Sequence, residues 1–168
     1  MNWHEDVTLT TVAAEIAQQA IHGGITIATA ESCTGGLVAQ LLTRTSGVSA
    51  VFMGGIVAYS NEAKHELLGV NEDLLRTHGA VSDPVARAMA LGARERFHVA
   101  LAVSTTGVAG PGGGSDLKPV GLTYVAVRGD SIDICERFVF EGDRAENVMS
   151  AAWEALRALS GTLSSLMG

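Results

Sequence analysis

The stretch TIATAESCTGG, residues 26–36, holds a strand, a turn and the start of a helix. ITIATA, residues 25–30, mixes β-branched and small residues, the composition of a short buried strand. Glu31, Ser32, Cys33 and Thr34 interrupt it, and Gly35-Gly36 lead into LVAQLLTRTSG, which reads as a helix ending near Gly47. A strand passing through a small-residue turn into a helix is the unit of α/β folds. It puts Ser32 and Cys33 at the carboxyl edge of a sheet, where such folds bind ligands. Two readings stand open here: Ser32 as a catalytic nucleophile, or Ser32 or Thr34 as a helix cap. The free N–H groups of a helix start also suit an oxyanion or phosphate. The spacing is not G-x-S-x-G, so no hydrolase nucleophile elbow is implied.

Upstream, Val12, Ile16, Ala20 and Ile21 share one helical face, stopped by Gly23-Gly24. Downstream, AVFMGGIVAYS is strand-like, and its Gly pair predicts a bulge or a close backbone approach. NEAKHELLGV and NEDLLRTHG predict short helices capped by Asn61 and Asn71. SDPVARAMALGARERF predicts a helix with Ser82 or Asp83 as cap and Pro84 in its first turn. VALAVSTTG is a second buried strand, and GLTYVAVRGDSIDICERFVF a hairpin around Arg128-Gly129-Asp130. A long final helix begins near Asp143. This alternation predicts one α/β domain over residues 1–168, with helices on the sheet faces and a mixed sheet, and without linker or repeat.

Composition narrows the function. A chain 47% hydrophobic and 17% charged buries a core. A net charge of −7 argues against nucleic acid but not against a small anionic ligand held by local donors and cations. MNWHEDVTLT is no secretory signal, and VSAVFMGGIVAY is too short and Gly-interrupted to span a bilayer, so neither export nor a membrane partner is expected. Two cysteines, Cys33 and Cys135, read as reduced thiols, and the expected location is cytoplasmic.

Three further features carry chemistry. In AYSNEAK, Tyr59 closes a strand and Lys64 falls in the first turn of a helix, against the macrodipole's preference. Bringing a lysine from a pKa near 10.4 to neutrality takes roughly 4 kcal/mol, which desolvation can supply and a dipole cannot. A buried Lys64 would be a base, whereas a solvated one would only pair with nearby glutamates. STTGVAGPGGGSDLKPVG, residues 104–121, ends a strand in two threonines and opens into a loop with Gly107, Gly110 and Gly112 that can present N–H groups to an anion. It matches neither a Walker A loop nor a Rossmann fingerprint. Arg144, beside Asp143, can grip a phosphate with its planar guanidinium or form an exposed salt bridge. His4, His22, His65, His78 and His98 are dispersed and HELLG lacks the second histidine of H-E-x-x-H, so no metal site is expected.

Taken together, AESCTGG, GGIVAYSNEAKHELLGV, GAVS, TGVAGPGGG, KPVG and GDR resemble, in order over about residues 8 to 160, the CinA C-terminal domain family, the nicotinamide-nucleotide amidases. The resemblance implies a three-layer α/β/α fold with a mixed, mostly parallel sheet, a stand-alone form of the domain and assembly as a homodimer or larger oligomer. It implies hydrolysis of nicotinamide mononucleotide to nicotinic acid mononucleotide and ammonia, with no metal or cofactor. Carried onto this chain, it makes Ser32 the nucleophile and Lys64 with Tyr59 the activating pair. Cys33, Thr34, Gly35, Thr106, Gly107, Gly110, Gly112 and Lys118 would line the substrate site, with Arg144 on the phosphate. Val148 departs from the pattern, standing where the family often carries another arginine. A Cys33–Lys64–Glu31 amidase and a non-catalytic nucleotide-binding module are the competing expectations.

Overall fold

The computed structural model describes the backbone from residue 3 and the side chains from residue 8, both to residue 168. The side chain of His4 lies outside the described residues. The elements are α1 (Trp3–Gly23), β1 (Ile27–Glu31), α2 (Leu37–Thr43), β2 (Phe52–Val57), α3 (Asn61–Leu68), α4 (Glu72–His78), α5 (Asp83–Phe97), β3 (Leu101–Gly107), β4 (Leu122–Arg128), β5 (Asp133–Val139) and α6 (Arg144–Met167).

The five strands lie in the order β2-β1-β3-β4-β5. β1 is parallel to both β2 and β3, while β4 is antiparallel to β3 and to β5. Four strands therefore run one way and β4 alone is reversed, so the sheet is mixed and mostly parallel. From β1 the chain goes to β2 on one side and then crosses to β3 on the other. That reversal makes the carboxyl end of β1 the topological switch point, the place where α/β sheets take their ligands.

The strand pleat feeds two cores. Ile27 and Val103 pack with Ile16, Leu41, Leu156 and Leu159 of α1, α2 and α6. Ala28, Ala30 and Ala102 pack on the opposite face with Leu68, Leu75, Val85 and Met89 of α3, α4 and α5. This is the three-layer α/β/α arrangement. The bulge predicted from the Gly pair is present: Ile27 pairs with Phe52 but Ala28 with Gly54, leaving Met53 as the extra residue. No helix among the described residues is long and apolar enough to cross a membrane.

Gly92 lets α5 touch the end of α3. A Cβ there would collide with the Leu68 carbonyl oxygen and stand 3.0 Å from its Cα. That obstacle is backbone and cannot rotate away. Gly92→Ala is therefore expected to cost about 2 kcal/mol, the usual size of core overpacking, and to lower the thermal midpoint by roughly 4–8 °C. A thermal melt with an unchanged midpoint would refute so close a contact.

Candidate active site

Successive side chains of a strand point to opposite faces, so β1 sends Glu31 towards α2 and the next residue, Ser32, towards α3. The Ser32 N–H continues the ladder by donating to the Thr105 carbonyl at 2.9 Å. On the α2 side, Glu31 is 1% exposed. Its Oε2 accepts from Thr34 Oγ1 at 2.6 Å, Gly36 N at 3.0 Å and Val38 N at 3.1 Å, and its Oε1 accepts from Ala39 N at 2.8 Å. The α2 N-cap position is Gly36, in a left-handed conformation with φ 100° and no side-chain cap of its own.

Two expectations are thereby corrected. Neither Ser32 nor Thr34 caps α2, and the helix start is not open to a substrate anion, because a carboxylate from the preceding strand already sits on it.

On the α3 side stands Lys64, only 1% exposed. Its Nζ lies 3.0 Å from Ser32 Oγ, 2.9 Å from the Ala58 carbonyl and 3.2 Å from the Tyr59 carbonyl. All three partners are neutral oxygens, and Lys64 forms no salt bridge among the described residues. The solvated lysine paired with glutamate is excluded. Burial pulls the Lys64 pKa below its ordinary 10.5, with the nearby Cys33 sulfur opposing that shift. The turn that presents the two carbonyls is held by Ser60, whose Oγ accepts from Ala63 N at 3.1 Å. The cap of α3 is thus Ser60, one residue before the expected Asn61, whereas Asn71 caps α4 as expected.

Cys33 is also buried, and burial raises its thiol to about 11 with the Glu31 charge adding to the rise, against a hydrogen bond from Thr105. The thiol stays protonated at neutral pH. With Glu31 committed to α2, the alternative Cys33–Lys64–Glu31 constellation is not assembled.

Tyr59 corrects another expectation. Its carbonyl, not its hydroxyl, meets Lys64; the ring points outward, 60% exposed, and the hydroxyl accepts from Arg144 Nη2 at 2.9 Å. The main chain turns inward after β2, setting its carbonyl on Lys64, while the side chain turns out towards Arg144. Arg144 Nη1 donates to the Gly110 carbonyl at 2.7 Å, and Arg144 pairs with no carboxylate among the described residues. Asp143 caps α6 in a capping box with Glu146, as expected for Asp143. Gly110, Pro111, Val120, Arg144 and Val148 line a cavity of about 810 Å³. Val148, at the position where the resemblance implied another arginine, therefore sits in the wall beside Arg144 and makes that wall apolar.

The remaining expected residues separate. Thr34 touches Glu31 and, at 2.7 Å, Thr105 Oγ1. Gly35 takes a left-handed φ of 61° in the turn. Thr106 is buried and donates to the Ala80 carbonyl at 2.9 Å, holding the segment before α5. Gly107 serves strand packing: a Cβ there would come within 2.8 Å of the Leu122 carbonyl oxygen. Gly112 lies on the exposed part of its loop. Lys118 is corrected: its Nζ donates to the His78 carbonyl at 2.5 Å, at the end of α4, and it does not line the cavity with Arg144.

Sequence reasoning missed two residues. Thr105 ties the turn after Ser32 to β3, and Asn147, 2% exposed, bonds the Ala109 carbonyl at 3.1 Å and both backbone groups of Gly142. The period-two pleat counted onward from Val103 would have pointed to Thr105. Among the described residues, no three His, Cys, Asp or Glu side chains gather to hold a metal.

An α/β sheet whose switch point carries a buried serine–lysine pair defines a class of fold and site. The chain matches the family model described as the CinA C-terminal domain over residues 9–163, and it belongs to that family. Among curated relatives, a CinA-like protein of Anaeromyxobacter dehalogenans is 51% identical over 136 residues, covering 81% of this chain and 33% of that protein. A CinA-like protein of Mycobacterium avium is 61% identical over 105 residues, covering 62% of this chain and 24% of that one. The chain thus spans about a third or less of the length of these relatives. Among solved structures, the competence/damage inducible protein CihA from Agrobacterium tumefaciens superposes with a TM-score of 0.89 at 40% identity, covering 93% of this chain and 95% of that one. A CinA superfamily protein from Klebsiella pneumoniae superposes with a TM-score of 0.89 at 32% identity, over 94% and 98% of the two chains.

Proposed function

We propose that this protein is a serine amidase that hydrolyses the carboxamide of nicotinamide mononucleotide, giving nicotinic acid mononucleotide and ammonia. The observation that carries the reading is Lys64: buried, without a carboxylate, and 3.0 Å from Ser32 Oγ. A neutral amine has two N–H groups and one lone pair. With the N–H groups on the Ala58 and Tyr59 carbonyls, the lone pair is left facing the Ser32 hydroxyl. That is the arrangement of a general base, as in Ser-Lys variants of the serine triad.

Ser32 Oγ attacks the carboxamide carbon while its proton passes to Lys64 Nζ. Among the described residues no backbone carbonyl engages the N–H groups of Cys33 and Thr34, and their donation to the developing oxyanion would contribute about 3 kcal/mol, as for such donors elsewhere. Lys64 returns the proton to the departing nitrogen, the C–N bond breaks, and ammonia leaves an acyl ester on Ser32. Water then attacks the ester, giving its proton through Lys64 back to Ser32 Oγ and releasing the carboxylic acid. The cationic pyridinium ring withdraws electrons from the carbonyl and helps the first attack. Arg144, with neutral partners only, keeps its full charge for the phosphate, and Tyr59 holds that guanidinium instead of relaying protons.

The test is ammonia release from nicotinamide mononucleotide by the wild-type chain. In Arg144→Ala, KM is expected to rise about 10–100-fold with kcat within a few-fold, the pattern of lost uniform binding. An unchanged KM would remove Arg144 from the phosphate site. Wild-type protein that binds the nucleotide and releases no ammonia would leave a binding module.

A further inference from the structure

We infer that Glu31 is a positioning residue for the nucleophile, an inference that rests on the serine-amidase reading of the same site. Gly35 and Gly36 hold left-handed φ values of 61° and 100°, so the turn after Ser32 is built from the residues with the greatest conformational freedom. What fastens that turn is the Glu31 side chain, with four donors drawn from Thr34, Gly36, Val38 and Ala39. Its main chain fastens the base as well. The Glu31 carbonyl accepts from Ala58 N at 2.8 Å, and the Ala58 carbonyl in turn accepts from Lys64 Nζ at 2.9 Å. One residue therefore joins the nucleophile turn, the start of α2 and the anchor of the general base.

The chemistry demands a carboxylate. Three N–H groups and a hydroxyl converge on it, and only an ionised carboxylate offers that many acceptor sites with no donor of its own. A glutamine of the same shape must turn an NH₂ group towards at least one N–H. The turn then moves to relieve that clash, carrying Ser32 Oγ with it, and misplacement of a reacting atom by about 1 Å costs on the order of 10²-fold in rate.

The test compares wild type, Glu31→Gln, Thr34→Val and Thr105→Val by kcat and KM for ammonia release and by the rate at which a fluorophosphonate probe labels Ser32, all well below each variant's thermal midpoint. Glu31→Gln is expected to lose about 10–100-fold in kcat with KM changed less than about threefold, and to label more slowly in the same proportion. The acid limb of its pH profile should move little, because burial is what lowers the Lys64 pKa and the Glu31 charge is not among its causes. Thr34→Val keeps the Glu31 charge but removes one of its donors along with the Thr105 contact, which Thr105→Val removes without touching Glu31; a fall of about 3–10-fold beyond that of Thr105→Val is expected, on the scale of one lost hydrogen bond. A merely structural role would lower the melting temperature and leave the labelling of folded protein unchanged, and that outcome overturns the inference. If Glu31→Gln does not fold, Thr34→Val read against Thr105→Val decides. If wild type releases no ammonia yet Ser32 is labelled, slowed labelling in the variants upholds the role of Glu31 while the amidase reading falls.

Discussion

Ammonia release from nicotinamide mononucleotide should fall at least about 10³-fold in Ser32→Ala, roughly 4 kcal/mol added to the barrier. It should stay within about fivefold of wild type in Cys33→Ala. The two residues are adjacent and equally small, so the contrast isolates the chemistry from the packing. Ser32 Oγ has Lys64 Nζ at 3.0 Å, whereas the Cys33 thiol is raised to about 11 by burial and is neutral at working pH. Assays run with EDTA present separate this route from any adventitious metal. The opposite pattern, activity lost only in Cys33→Ala, would move the nucleophile one residue along the chain and undo the assignment of Ser32.

Lys64→Ala should lose at least about 10²-fold in kcat, the usual scale of lost general-base catalysis. The pH dependence follows from the direction of the Lys64 shift. The active form is the neutral amine, so kcat/KM rises with pH as Lys64 loses its proton, through a pKa that burial has moved below 10.5. Stability carries the same sign. Between the lowered folded value and the ordinary one, the unfolded chain holds the extra proton, so the Lys64 contribution to stability grows as pH rises through that window. Lys64→Ala should remove both the acid limb and this slope, read from a pH–rate profile and from denaturant unfolding at several pH values. Near-normal turnover in Lys64→Ala would exclude it as the base.

Much of this was legible in the residues. The strand–turn–helix grammar around residues 26–36, the Gly pair that marks the β2 bulge, Asn71 and Asp143 as caps, and the hairpin before the last helix are local matters, decided by residues a few positions apart. Periodicity and turn chemistry express such short-range preferences directly. The resemblance also led to the expectation of Ser32, Lys64 and Arg144 in one site, and of these the structure sets Lys64 against Ser32.

What local reasoning gets wrong is which partner a polar group chooses. A serine or threonine at a helix start is the ordinary cap, yet at α2 the cap is Glu31, because the pleat of a fully buried strand drives that carboxylate into the helix end, where it needs every donor available. Tyr59 looked like a companion to Lys64 five residues away, but its hydroxyl reaches Arg144, 85 positions further on. Lys118 looked like a second cation for the substrate, but its ammonium closes the end of α4 at His78, 40 positions back.

The sequence by itself determined the α/β alternation, the strand-to-helix turn that carries Ser32, and the set of residue types from which an amidase site can be built. Only the tertiary structure decided that Lys64 is dry, that it faces Ser32 and not Cys33, and that Glu31 holds the turn and the helix start instead of acting as a third member of a cysteine site. Burial and partner choice depend on which elements pack across the sheet, and that packing is a property of the whole chain.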